Sequence, residues 1–244
     1  MKILAIDSSG LVASVAVVED DVLQGEYTIN FKRTHSEVLL PMLDALKRDL
    51  QLDLQSIDAI AVAAGPGSFT GLRIGSATAK GLGLALGKPI VPVPTVDALA
   101  YNLYGSARLI CPLMDARRNQ TYTGLYRFTE DGIFETVIPQ KVCAIEEIIE
   151  DVNRLGEAVV LLGDGVPVFR EAFSKICRVP VDEAPAHVNK QRAGAVASLG
   201  LIRYKEGKAE SAADHRPEYL RLSQAERERK ERLAREAAEN PCGK

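Results

Sequence analysis

Residues 63–75 read AAGPGSFTGLRIG, between the apolar run of residues 59–64 and the stretch SATAKGLGLALGK at 76–88. The order is a buried strand, a glycine-rich joint and a helix. Such a joint supports two readings. In the first, amides of Gly65, Gly67, Ser68, Thr70 and Gly71 at a helix N-terminus, with Arg73 close behind, form a candidate anion or nucleotide site. In the second, Gly65 and Gly67 supply unusual backbone angles, Pro66 fixes another, and the joint is only a tight turn. The GxxxxGK[ST] lysine is absent, so this is not a P-loop. Behind the joint, Gly71, Gly75, Ala79 and Gly83 form one stripe of small side chains. Interior glycines at 75, 81 and 83 cost roughly 2.5–3 kcal/mol relative to alanine. Such a cost is recovered where a neighbour approaches closely, within the chain or from another protein.

Strand and helix patterns alternate around this joint. Residues 2–6, 14–18 and 26–30 read as a meander of short strands, separated by Ser8-Ser9-Gly10 and Glu19-Asp20-Asp21. A helix is predicted from Thr34, with Thr34 and Glu37 in a capping-box pattern. Val38, Leu39, Met42, Leu43, Leu46 and Leu50 follow at helical spacing, and Pro41 predicts a kink. The helix after the joint runs from about residue 70 to 86 and stops at Gly87-Lys88-Pro89. Residues 90–93 form a strand, and Thr95 is read as the cap of a third helix. Further on, residues 109–115 and 121–128 read as a hairpin, 146–155 as a helix, 159–162 as a strand and 192–204 as a helix. Residues 224–239 carry five acids and five bases, a solvated helix or frayed tail rather than a net-basic nucleic-acid arm.

Composition narrows the class. The chain has 244 residues, 46% hydrophobic and 26% charged, with net charge −3. These values suit a globular protein and leave no overall electrostatic footprint for nucleic acid or an acidic membrane. Cys111, Cys143, Cys177 and Cys242 include no CxxC pair, which speaks against zinc and a disulfide framework and fits a reducing cytosol. The segment MKILAIDSSG is too short in apolar residues for a signal peptide, and no run reaches membrane-spanning length. A cytoplasmic location without a membrane partner is expected.

The two halves echo each other. ILAID at 3–7 parallels CPLMD at 111–115, and at the same spacing ASVAV at 13–17 falls on TYTGL at 121–125. Each half opens with an apolar strand ending in Asp, then a turn, then another strand. With the strand–helix order, this predicts an α/β fold of two ribonuclease-H-like lobes, mixed sheets flanked by helices, as in actin-like ATPases. Residues 1–105 are assigned to the first lobe and 106–222 to a smaller second lobe whose end packs back on the first. Residues 223–244 form the charged tail.

GPGSFTGLRIG followed by AKGLGLALGKP resembles the signature of the TsaB (YeaZ) family. MKILAIDSS, HSEVLLPML, MDARRNQTYTGLY and PEYLR match the family in order, from Met1 to about Arg221. The resemblance implies a TsaD-like member of the actin-like ATPase superfamily acting in tRNA threonylcarbamoyladenosine biosynthesis. It implies a non-catalytic partner of TsaD, forming a helical-bundle heterodimer, a homodimer when TsaD is absent, and a contact for the ATPase TsaE. The complex would modify the adenosine beside the anticodon of ANN-decoding tRNAs, so tRNA is met indirectly. Carried onto this sequence, the partner surface comprises His35, Leu39, Met42, Leu43, Leu46, Leu72, Gly75, Ala79 and Leu82.

The resemblance also bears on chemistry. TsaD-type enzymes carry two metal-binding histidines four residues apart, whereas here His35 is matched by Leu39, so no metal site is expected. A glycine-rich adenosine turn corresponds to GDGVPVFREAF at 163–173, where Asp164 would repel phosphate. Asp7 and Asp115 match the strand-end aspartates that position magnesium and water in actin-like ATPases, and are read as vestigial turn caps. No cofactor is expected on this chain alone; ATP with magnesium and a metal belong to the partners. The rival readings are an actin-like ATP-binding enzyme or M22-type peptidase homologue, and a self-contained homodimer.

Overall fold

The computed structural model describes residues 1–31 and 34–221. The charged tail predicted over 223–244 lies outside the described residues. Two five-stranded sheets share one connectivity. In the first, β1 (Lys2–Asp7), β2 (Ala13–Glu19) and β3 (Val22–Ile29) form an antiparallel meander, and β4 (Ala59–Gly65) and β5 (Ile90–Pro94) add in parallel on the other side of β1. The spatial order is β3-β2-β1-β4-β5. In the second, β6 (Leu109–Asp115), β7 (Gln120–Phe128) and β8 (Phe134–Ala144) repeat the meander, and β9 (Val159–Leu162) and β10 (Val181–Glu183) the parallel extension. Their order is β10-β9-β6-β7-β8. The duplication read from the two strands ending in Asp7 and Asp115 is thus a duplication of whole sheets. This is the actin-like fold.

Burial explains where the helices lie. β4 is buried along its whole length, so both faces of the first sheet must be covered. α1 (His35–Asp49) and α2 (Phe69–Leu86) cover one face, placing Val38, Leu39, Met42, Leu43, Leu46 and Ala79 against Leu4, Ile6, Val15 and Ile60. α6 (Ala193–Lys205) covers the other, with Ala193, Val196 and Ala197 against Ile3, Ala5, Ala61 and Val91. α3 (Thr95–Tyr101) joins the lobes: Val96, Leu99 and Ala100 pack on Ile110, Met114 and Tyr126 of the second sheet. The Tyr126 hydroxyl donates to Asp97 at 2.7 Å. α4 (Ile145–Leu155) and α5 (Val166–Ile176) cover the far face of the second sheet with Ile148, Ile149, Phe169 and Phe173.

Local expectations need correction in places. Thr34 occupies the N-cap of α1, but its side chain makes no capping bond; its carbonyl accepts from Glu37 N at 3.0 Å instead. Thr95 opens α3 rather than capping it, and its hydroxyl accepts from Gly65 N at 3.1 Å across the sheet. β8, α5 and β10 had no counterpart in the sequence reading.

Candidate functional site: the interlobe cleft and the α1–α2 face

A cleft of about 470 Å³ opens between the lobes. The Ser9–Leu11 turn, Gly67 and Ser68 line it from the first lobe, and Asp115, Arg117, Tyr122 and Asp164 from the second. The glycine-rich joint reaches it only with its edge. A side chain at Gly65, whose φ is +125°, would collide with the Glu218 carbonyl, and one at Gly71 with the Ser8 carbonyl. The joint's amides are bonded inside the chain: Gly65 N to Thr95, Ser68 N to the Ser9 carbonyl at 2.7 Å, and Gly71 N to the capping Ser68 hydroxyl at 3.2 Å. Arg73 lies over the Phe69 ring at 3.9 Å and donates to Tyr219 Oη at 3.3 Å, while Thr70 is exposed. The anion cradle read from these residues is therefore corrected. Three of its amides are spent, and Gly65, Thr70, Gly71 and Arg73 do not line the cleft.

The paired aspartates differ. Asp7 is buried and accepts from both Ser9 N (2.9 Å) and Ser9 Oγ (2.6 Å), so it caps its own turn. Burial pushes its carboxyl up, against the two Ser9 bonds and the nearby His35. Asp115 accepts from Arg117 N at 2.8 Å, pairs with the Arg117 guanidinium at 3.2 Å, and faces the cleft. Asp164 is also pushed up by burial, with Lys190 opposing, and its Oδ1 has no partner among the described residues. His35 donates from Nε2 to the Gly10 carbonyl at 2.8 Å, leaving Nδ1 buried and unpartnered. Among the described residues no three His, Cys, Asp or Glu side chains gather as a metal site, and no helix is long and apolar enough to cross a membrane.

The partner residues read from the sequence point inward. Leu39, Met42, Leu43, Leu46, Leu72 and Ala79 are buried in the first lobe, and Leu82 is partly so. A Cβ on Gly75 would collide with the Ser8 hydroxyl, and one on Gly83 would stand 2.7 Å from Ala212 Cβ. The small-residue stripe therefore serves packing within the chain. His35 faces the cleft. The outward face carries Leu40 (55% exposed) on α1, and Ala77, Gly81, Leu84 (62% exposed) and Ala85 on α2. At Gly81 a Cβ would meet nothing within 4 Å.

Comparison with known proteins follows this architecture. A family model described as "TsaD: tRNA N6-adenosine threonylcarbamoyltransferase" matches residues 25–229. The tRNA threonylcarbamoyladenosine biosynthesis protein TsaB of Bacillus subtilis is 34% identical over 226 residues, covering 93% of this chain and 96% of that protein. The chain belongs to the TsaB family. The TsaB of Escherichia coli is 32% identical over 168 residues, 68% of this chain and 72% of that protein. The solved structure of YeaZ from Pseudomonas aeruginosa superposes with a TM-score of 0.75 at 26% identity, covering 90% of this chain and 99% of that one.

Proposed function

We propose that this chain is a non-catalytic, cytoplasmic partner of a TsaD-type transferase in threonylcarbamoyladenosine formation on tRNA. Membership of the TsaB family supports the pathway. The observation that carries the partner role is the outward face of α1 and α2. Leu40 and Leu84 stand exposed there, and Gly81 has no intrachain contact to require it. A glycine inside an exposed helix costs about 1 kcal/mol, and a closely approaching helix from another protein gives it a use. TsaD is the partner in this reading, a second copy of this chain its substitute, and TsaE a further member of the assembly. ATP, magnesium and the metal would be held by the partners, and tRNA met through the complex.

The rival ATP-binding or peptidase reading has the interlobe cleft in its favour. It requires amides of the joint to leave bonds they already make. Light scattering on the chain, a cognate TsaD and their mixture, followed by a threonylcarbamoylation assay, separates the two. A heterodimer active only when mixed is the expected result. A chain that ignores TsaD and turns over ATP alone would overturn the proposal.

A further inference from the structure

Residues 210–219 are stapled to the first lobe along the flank of α2. Glu210 bridges Ile90 in both directions, its N donating to the Ile90 carbonyl at 2.8 Å and its carbonyl accepting from Ile90 N at 2.9 Å. Ala212 follows beside Gly83, and Lys80 Nζ donates to the carbonyls of Ala213 and His215. Glu218 N then donates to the Ala64 carbonyl at 2.7 Å, and the Tyr219 ring lies 4.9 Å from that of Phe69. Its hydroxyl accepts from Arg73 Nε. These partners descend α2 from Gly83 to Phe69, so the segment belongs firmly to the first lobe.

At its end the segment changes lobes. Gln140 Nε2 on β8 donates to Glu218 Oε2 at 3.1 Å, and the Arg221 guanidinium donates to the Ala116 carbonyl. Ala116 lines the cleft between Asp115 and Arg117, while Gly67 and Ser68 line the other wall, flanked by the strap's own neighbours Gly65 and Phe69. Two residues after Tyr219 meets the first lobe, the strap thus holds the second lobe's wall. The bond from charged Arg221 is the stronger of the two ties, and the solvent-facing bond to Gln140 the weaker. Residues 189–192 also join the lobes, with Gly163 N donating to the Asn189 carbonyl at 2.9 Å and Arg192 Nε to Glu26 at 3.0 Å. None of those four groups lines the cleft. α3, packed between the sheets, supplies a pivot. A pivot at one place and a short side-chain tie at another are the parts of a hinged closure.

We infer that residues 217–221 are a latch that sets the opening of the interlobe cleft. The latch stays anchored on α2 and releases at Arg221 and Gln140, and its release lets the second lobe swing about α3. Tyr219 and Arg73 are exposed, so the latch is held from a surface that other molecules can reach. The inference goes beyond the partner role and does not depend on it, because the test contains this chain alone.

The test measures spin-label distances in the full chain with Cys177→Ser and Cys242→Ser, leaving the buried Cys111 and Cys143 unlabelled. The labels sit at Glu37→Cys on α1 and Glu150→Cys on α4, both exposed. Both helices start at the cleft: His35 lines it, and Glu146 accepts from Asn119 of the β6–β7 turn at 3.1 Å. One narrow distance distribution is expected for the latched chain. Arg221→Met combined with Gln140→Met should add a population at longer distance, and Arg221→Lys, which keeps a donor, should restore most of the narrow one. A reference pair within the first lobe, Glu37→Cys with Asp21→Cys, should stay unchanged throughout. Thermal melts establish that each variant is folded, and should the double variant not fold, Gln140→Met alone decides by the same readout. An unshifted distribution in the deciding variant overturns the inference. So does a latched chain that already shows both populations, or a reference pair that broadens along with the interlobe pair.

Discussion

Gly71 and Gly81 share one helix and have opposite surroundings. A methyl group at 71 would collide with the Ser8 carbonyl, a backbone atom that has little room to yield, whereas at 81 it would meet nothing. Gly71→Ala should destabilise the chain by about 1–3 kcal/mol despite alanine's better helix propensity. Gly81→Ala should stabilise it by up to about 1 kcal/mol. Urea unfolding of the two variants checks both, and equal effects would show that the helix does not pack as described. Asp164 gives a pH test. Burial holds its carboxyl above the ordinary value of 3.8, so the folded chain keeps a proton that the unfolded chain has released. Its contribution to stability falls as pH rises from the ordinary value through the raised one. Asp164→Asn should therefore melt higher than wild type at neutral pH, with the gap closing near about pH 4. A gap that widens on acidification would contradict this sign. At this scale the sequence was most legible at Asp7, whose reading as a turn cap needs only neighbours two residues away. Gln140 was silent, because its partner Glu218 is far away in the chain.

At the scale of elements, α1 and α2 were placed by their periodicity, but the residues assigned to a partner surface lie in the core. Apolar side chains at helical spacing are claimed first by the helix's own lobe, and Leu39, Met42, Leu43 and Leu46 are all core. The large apolar side chains left exposed on these helices are Leu40 on α1 and Leu84 on α2. Leu84→Asp should leave stability within about 0.5 kcal/mol of wild type and weaken heterodimer formation with TsaD about tenfold or more. Met42→Asp should instead unfold the lobe, since it buries a charge without a partner. Thermal melts alongside binding measurements separate the two, and wild-type affinity in Leu84→Asp would move the interface elsewhere. β8 escaped the sequence because it is a half-buried edge strand with register breaks against β7, which blur its alternation. α5 is masked in the sequence by the turn-like Gly163-Asp164-Gly165 that leads into it, while Phe169 and Phe173 carry the helix's buried stripe.

For the whole molecule, the strand echo made the duplicated sheets legible, since both halves keep the order strand, turn, strand. The closure of the first lobe was legible only as a general expectation that the chain end packs back. Its agents are long-range. Gly200 on α6 is so close to β4 that a Cβ there would stand 2.5 Å from Ala61 Cβ. Arg203 Nε donates to the Pro92 carbonyl at 2.8 Å, Lys80 Nζ to the carbonyls of Ala213 and His215 at 2.8 and 3.0 Å, and Glu218 N to the Ala64 carbonyl at 2.7 Å. A fragment of residues 1–105 lacks α6, so one face of its sheet stays uncovered. It should show no cooperative melting transition and should bind a hydrophobic dye, whereas the full chain should melt sharply. A sharp transition in the fragment would mean that α6 is dispensable to the first lobe.

The placement of α6 also bears on how the protein is made. A chain leaving the ribosome N-terminus first completes β1 to β5 long before α6 has been translated. The α6 side of the nascent first sheet, with Ile3, Ala5, Ala61 and Val91, must wait while the whole second lobe is synthesised. Through that interval the half-made protein presents a sticky surface to the cell. Ribosome stalling between β6 and α6 should therefore send this chain to chaperones or aggregates more readily than stalling after α6 has emerged.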